Sequence, residues 1–328
     1  LGQDVDDAAA VRLVGKLEYI PLAINQAAAY INKRSPRVTV QSYLSEFQRS
    51  EKKKGSLLRS DRGDLRRYDG LSNSVVVTWQ VTFEQIKREK PRAANLLSLM
   101  SYFSAQNIPE YMLHDYNSSF MDVQKNSDDN DDDDETSEDS DFEDDLDVLR
   151  GYSLITMTAT PGFCEMHSLV QFCTKIWISE FGCTEPWGRL FLQSASRHFP
   201  SGVFETWGQC QMLMPHIQPL LDKRPSEERD RLDWSKLLTN VSWYLVMLGN
   251  FSRAEVIVQQ AVSTQTEILG QEHPSTLTSM GNLASTFRNQ GRWKEAEKLD
   301  VRVMETSVRV LGEEHPDTLT SMANLAST

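Results

Sequence analysis

The sequence is short of the features that mark secreted, membrane-spanning and metal-binding chains. Its 328 residues include four cysteines, Cys164, Cys173, Cys183 and Cys210. None stands in a C-x-x-C pair, which disfavours a zinc knuckle or a thioredoxin-like site. With no secretory signal at the start, free thiols in a reducing compartment are expected, and the expected location is cytoplasmic. No apolar run approaches the roughly 18 residues that a membrane span requires. The phosphate-cradling loop G-x-x-x-x-G-K-[ST] appears nowhere. The chain starts at Leu1 rather than Met and stops at Thr328 inside a repeated segment, so a longer parent protein is expected.

Charge is unevenly placed. The formal net charge is −13, yet residues 127–147, SDDNDDDDETSEDSDFEDDLD, hold fourteen acidic residues and no Lys or Arg. The remainder of the chain is close to neutral, so the acidity belongs to one segment. A run this charged cannot bury enough apolar surface to order itself, and disorder is expected over 121–145. An EF-hand is excluded because Asp133 stands where the calcium loop needs glycine. Thr136 and Ser140 each have an acidic residue three positions on, as acidic-directed kinases require. Residues 49–67, RSEKKKGSLLRSDRGDLRR, carry the opposite bias. They lack the interleaved aromatics of a single-strand binder, and the acidic tract would repel phosphates. Nucleic acid is therefore not an expected partner, nor is a membrane.

What the chain does have is a repeat. LGQEHPSTLTSMGNLAST (269–286) returns as LGEEHPDTLTSMANLAST (311–328), with three differences and an offset of 42 residues. A fixed period of this size signals a solenoid, in which each unit buries its apolar face only against its neighbours. Leu277, Met280, Leu283, Ala284 and Phe287 mark helix A, and Ser275 is a candidate cap. Trp293, Ala296, Leu299 and Val303 mark helix B. His-Pro at 273–274 and 315–316 makes the turn between units, since proline disfavours helix in the residue before it. Both histidines read as turn residues rather than ligands. Two full units fit, at about 234–274 and 275–316.

Upstream, VRLVGKLEYIPLAINQAAAYI reads as two helices, with Pro21 at the first position of the second. A short helix follows near Val40–Phe47, and 51–70 reads as a basic linker. SNSVVVTWQVTFEQIKREK reads as an extended stretch and then an amphipathic helix, and PRAANLLSLMSYFS as a helix. SLITMT, the turn Thr160-Pro161-Gly162 and FCEMH read as a β-hairpin, and SLVQFCTKIWISEF as a helix. Helices with a two-stranded hairpin are the parts of a winged helix. Cys164 and His167 are near in sequence, but no orienting third residue makes a nucleophile of them.

The repeats, LG-x-x-HP-x-TL-x-x-x-x-NLA and G-x-W/F-x-x-AE, resemble the tetratricopeptide repeats of kinesin light chains and their fungal and bacterial relatives. Residues 1–180 resemble the C-terminal half of an NB-ARC signalling ATPase, the module of NOD-like receptors. YIPLAINQAAAYI looks like the G-L-P-L-A motif, with Tyr19 and Ile20 departing from it. CEMHSLVQ looks like the M-H-D motif, with Ser168 in place of the usual Asp or Arg. In that family the proline lines the adenine pocket and the histidine reaches the phosphates, which by resemblance assigns those roles to Pro21 and His167. Both roles need a phosphate-binding half that this sequence lacks. The acidic motif that holds magnesium is not evident either, so no enzyme activity and no bound cofactor are expected of these 328 residues alone, with ADP or ATP expected in the full-length protein.

The expected fold is mainly α. An ARC-like segment (1–50), the linker, a winged helix (71–182) and a helical bridge (183–231) lead to the repeats (232–328). The resemblance implies the ligand-sensing part of a nucleotide-switched receptor. The repeats would bind a protein or peptide, with Asn282 and Asn324 on successive A helices facing it, and self-association would follow activation. A plain tetratricopeptide adaptor without nucleotide switching is the alternative.

Overall fold

The computed structural model describes residues 2–17, 19, 21, 23, 24, 27, 28, 31, 35–49, 75–117, 135–181 and 184–328. They divide into two compact units, Leu1–Trp187 and Gly188–Thr328. The expected basic linker lies outside the described residues.

The first unit opens with α1 (Gly2–Lys16) and α2 (Val40–Arg49). The described residues from Pro21 to Ile31 are helical between them. Leu13, Leu17, Ala23, Ala27, Tyr43, Leu44 and Phe47 form one core, in which the two alanines permit close helix approach. Next come α3 (Val75–Glu89) and α4 (Pro91–Met100). Val75, Val76 and Val77, expected to be extended, are helical. Phe83 and Ile86 are each 1% exposed and Trp79 packs on the core above, so one helical stripe is buried. That tertiary burial outweighs the β-propensity of three valines.

The acidic tract differs from expectation in the same way. Residues 121–134 lie outside the described residues, but α5 runs from Glu135 to Gly151 and so takes in residues 135–147 of the acidic tract. Phe142, Leu146 and Leu149, at i, i+4 and i+7, are at most 3% exposed. Burying three such side chains contributes roughly 2 kcal/mol each, which a composition average does not see. The Phe142 ring rests 4.4 Å from that of His114, in a 3-10 turn at His114–Asn117.

The hairpin is present as β2 (Ile155–Met157) and β3 (Phe163–Met166), joined through Gly162 at φ 79°. A third strand, β1 (Ile108–Pro109), pairs antiparallel with β3, giving the order β1-β3-β2. Two residues are too few to carry an alternation signal. Helix α6 (Ser168–Phe181) follows, and its Leu169, Phe172 and Cys173 complete the core begun by α1 and α2.

The second unit holds most of the helical bridge, α7 (Thr184–His198) and α8 (Trp207–Leu221), followed by the repeats. Helix α9 (Glu228–Met247) pairs with α10 (Phe251–Leu269), and α11 (Pro274–Asn289) with α12 (Trp293–Leu311). A final helix A, α13 (Pro316–Ala326), packs on α12 and α11. Ala254, Ala284 and Ala296 are fully buried, which lets A and B helices approach closely. The cap of α11 is not Ser275 but His273, whose Nδ1 accepts from the Ser275 N–H at 3.2 Å. His315 does the same for Asp317, also at 3.2 Å. An imidazole nitrogen thus satisfies an amide that the first helical turn leaves open. Leu277 and Met280 are each 4% exposed, whereas their equivalents Leu319 and Met322 are 54% and 36% exposed. No described helix is long and apolar enough to cross a membrane.

Candidate functional site

Successive A helices pack against one another, so positions 42 residues apart fall in one row, although only α11 and α13 start from a His-Pro cap. Asp233, Lys236 and Asn240 of α9 thereby align with Ser275, Thr278 and Asn282 of α11, and with Asp317, Thr320 and Asn324 of α13. The row is almost wholly polar, and it runs beside the buried apolar row that packs on the B helices.

The asparagines sit half-buried in this row. Asn240 donates from Nδ2 to the Phe199 carbonyl at 3.0 Å, and Asn282 to the Thr239 carbonyl at 3.4 Å. Each ties its helix to the preceding structure with one N–H and retains a second N–H and an amide oxygen. Asn324 contributes its backbone oxygen, which accepts from Arg288 Nη1 at 2.9 Å. Sequence reasoning named Asn282 and Asn324 as partner-facing, and the structure adds these tethers. Asn240 was missed, although it stands 42 residues before Asn282.

Between α9, the end of α10 and the start of α11 lies a cavity of ≈ 360 Å³. Leu232 and Leu269 supply apolar wall, and Asp233, Lys236, Asn240 and Gln265 supply polar groups. Its floor is a buried neutral network. Thr239 Oγ1 and Ser279 Oγ lie 2.7 Å apart, Ser279 donates to Gln265 Oε1 at 2.7 Å, and Gln265 Nε2 reaches Thr239 Oγ1 at 3.3 Å. Such satisfied networks fix helix orientation, since breaking one strands buried polar atoms. Burial pushes the Asp233 carboxyl above its ordinary range, and the neighbouring Asp230 adds to this. Arg229, Lys236 and Arg197 oppose it.

In the first unit, Pro21 and His167 are both exposed. Their segments meet through a shared core, since Ala23 and Leu169, each two residues further on, belong to the same buried cluster. His167 stands between β3 and α6, and its carbonyl accepts the Gln171 N–H at 2.9 Å. The rest of CEMHSLVQ is structural. Met166, Leu169 and Val170 are buried, and Gln171 Nε2 donates to the Ser101 carbonyl at 3.0 Å. Cys164, at the start of the same motif, is buried, and burial and Glu110 push its thiol up to about 12, which disfavours the thiolate. Among the described residues no group of three or more His, Cys, Asp or Glu could hold a metal ion.

One cluster was not foreseen. Arg92 on α4 bridges Asp141 and Asp145 of α5, reaching Asp145 from Nε at 3.2 Å and the Tyr116 hydroxyl from Nη2 at 3.1 Å. Tyr116 also donates to the buried Asp145. Its residues lie far apart in sequence, with no spacing to announce it.

Residues 235–275 and 276–317 each match the family model of the tetratricopeptide repeat, so α9 to α12 form two such repeats. Over 278 residues the chain is 31% identical to a protein of Hyaloscypha variabilis described as a "Nucleotide-binding leucine-rich repeat (NLR)-like protein". The match takes in 84% of this chain and 26% of the relative, so the chain spans about a quarter of that protein's length. The relative's description speaks of leucine-rich repeats, whereas the repeats of this chain are of the tetratricopeptide kind. No solved structure matches the chain. The chain thus carries two tetratricopeptide repeats and is similar over most of its length to part of an NLR-like protein, the combination that the motifs implied.

Proposed function

We propose that the chain is the regulatory and ligand-sensing part of a nucleotide-switched signalling protein, whose repeats bind a protein or peptide along the polar row of the A helices. The observation that carries this reading is the 278-residue likeness to an NLR-like protein, which is longer than either unit and so includes parts of both. The packing supports it. The proline and histidine motifs of the first unit share one core, so a group touching one would sense movement of the other.

The residues present fit only part of a nucleotide. Pro21 offers an apolar ring for a base, and His167 an imidazole for a phosphate, but the sequence has no loop of backbone amides to cradle phosphates. ADP or ATP would therefore be held mainly by the parent protein outside these residues. His167 would report its charge, and these residues alone would neither hold nor hydrolyse it. A ligand on the repeats would shift the switch only by binding one state more tightly than the other. Nucleotide exchange and self-association would follow.

The test uses the longer native polypeptide. It is purified and denatured, and the released nucleotide is measured by chromatography, beside a His167→Ala form. Stoichiometric ADP from the native form, reduced in the variant, supports the switch. No nucleotide from either form leaves the tetratricopeptide adaptor as the function.

A further inference from the structure

The acids around the first-repeat cavity are not equivalent. Asp230 is paired with Arg189 at 3.0 Å, and Glu267 with both Arg224 and Arg231. Asp233, half-buried in the cavity wall, makes no ion pair among the described residues. Arg229 and Arg197 act on it only through space, and Lys236, one turn along α9, is exposed, so its ammonium remains in water. A partly desolvated carboxylate with no cation in direct contact is still costly, and a cation that arrives with a partner offsets that cost.

The cavity has the shape and lining for such a cation on a long stem. At ≈ 360 Å³ it lies near the lower end of ligand sites, which suits one side chain rather than a whole small molecule. Leu232 and Leu269 can pack along methylenes, while Asn240 and Gln265 supply neutral hydrogen-bonding groups beside them. In the second repeat the position of Asp233 is Ser275, so helix A supplies no charge there.

We propose that this cavity takes a lysine or arginine side chain of an extended peptide, with Asp233 as its counter-charge. The proposal rests on the reading that the A-helix row binds a peptide, and it names the residue class that the first repeat selects.

The experiment displays a library of random nine-residue peptides to the whole 328-residue chain and to its Asp233→Asn and Asp233→Ser forms. Circular dichroism first checks that each form is folded. The peptides enriched on the native chain are then synthesised, and their binding is measured by fluorescence anisotropy. Lysine or arginine is expected to recur at one position. Replacing it by glutamine, or Asp233 by asparagine, is expected to weaken binding roughly tenfold, and doing both is expected to weaken it little further. Peptides enriched without a recurrent basic residue, or bound equally by the Asp233 variants, overturn the proposal while leaving the peptide-binding reading intact. If the native chain enriches no peptide, that reading fails and this proposal falls with it.

Discussion

The two units hold their helices by different means. In the repeats the same small contacts recur: a buried alanine where A and B helices meet, an imidazole cap at each later start, and an apolar A-helix row on its partner. In the first unit a helix from the acidic tract is fastened by contacts that occur once. Arg92, Tyr116 and Asp145 make one network, and Phe142 lies over His114. Repetition spreads stability across nearest-neighbour interfaces, so damage stays local and graded. Single fastenings concentrate it, so the loss of one residue releases a whole element.

The sharpest test of this contrast lies within the repeats. Leu277→Ala removes a side chain that is 4% exposed and is expected to cost about 3 kcal/mol in urea unfolding of the second unit. Leu319→Ala, at the equivalent position with 54% exposure, is expected to cost less than about 1 kcal/mol. Equal losses would mean that the repeat, rather than burial, decides the effect.

A smaller effect is expected at the single fastening. Arg92→Ala leaves the buried Asp145 carboxylate with Tyr116 as its remaining partner. A loss of about 2 kcal/mol is expected, discounted because Arg92 is itself 41% exposed. Faster amide exchange confined to α5 and its neighbours would distinguish release of that helix from global loosening. Unchanged protection in α5 would show that its apolar stripe suffices without the ion pair.

Smaller again is the cap. His273→Ala is expected to cost about 1 kcal/mol, read as a shift of the unfolding midpoint of the second unit, with His315→Ala producing a similar or smaller shift. The least effect concerns acid. Hydrogen bonds from Arg292 and Gln290 hold the Glu255 carboxyl below its ordinary range. A depressed folded pKa gives stability that is present above the ordinary carboxylate value and is lost as pH falls through the lowered one. Glu255→Gln is expected to flatten that part of the acid limb by a few tenths of a kcal/mol at most, given the exposure of the pair. An unchanged acid limb would show that Glu255 contributes nothing there.

How readable each part was in the sequence follows the same division. The repeats announce themselves because identical residues recur where identical contacts recur, and Gly291, His315 and Ala296 fall where the 42-residue offset places them. The acidic helix was hidden because fourteen acids in 127–147 mask the stripe of Phe142, Leu146 and Leu149, and because its cation is about 50 residues away. Three consecutive valines read as strand until Phe83 and Ile86 are seen buried, with Trp79 partly buried beside them. At the candidate site, the place of Asn282 on an A helix was legible from the repeat. That it gives a hydrogen to Thr239, and that Asp233 lacks the partner its neighbours have, depends on contacts between helices that no spacing encodes.

The imidazole caps have a consequence for how such a chain can change over time. They set where α11 and α13 begin, so the residues at 275 and 317 occupy interchangeable places whose identities, Ser and Asp, are not needed by the buried rows. The exposed row is a short text written on a fixed page. A substitution there alters what is read and leaves the page standing, and duplicating a unit adds a new line of text without any redesign of the fold.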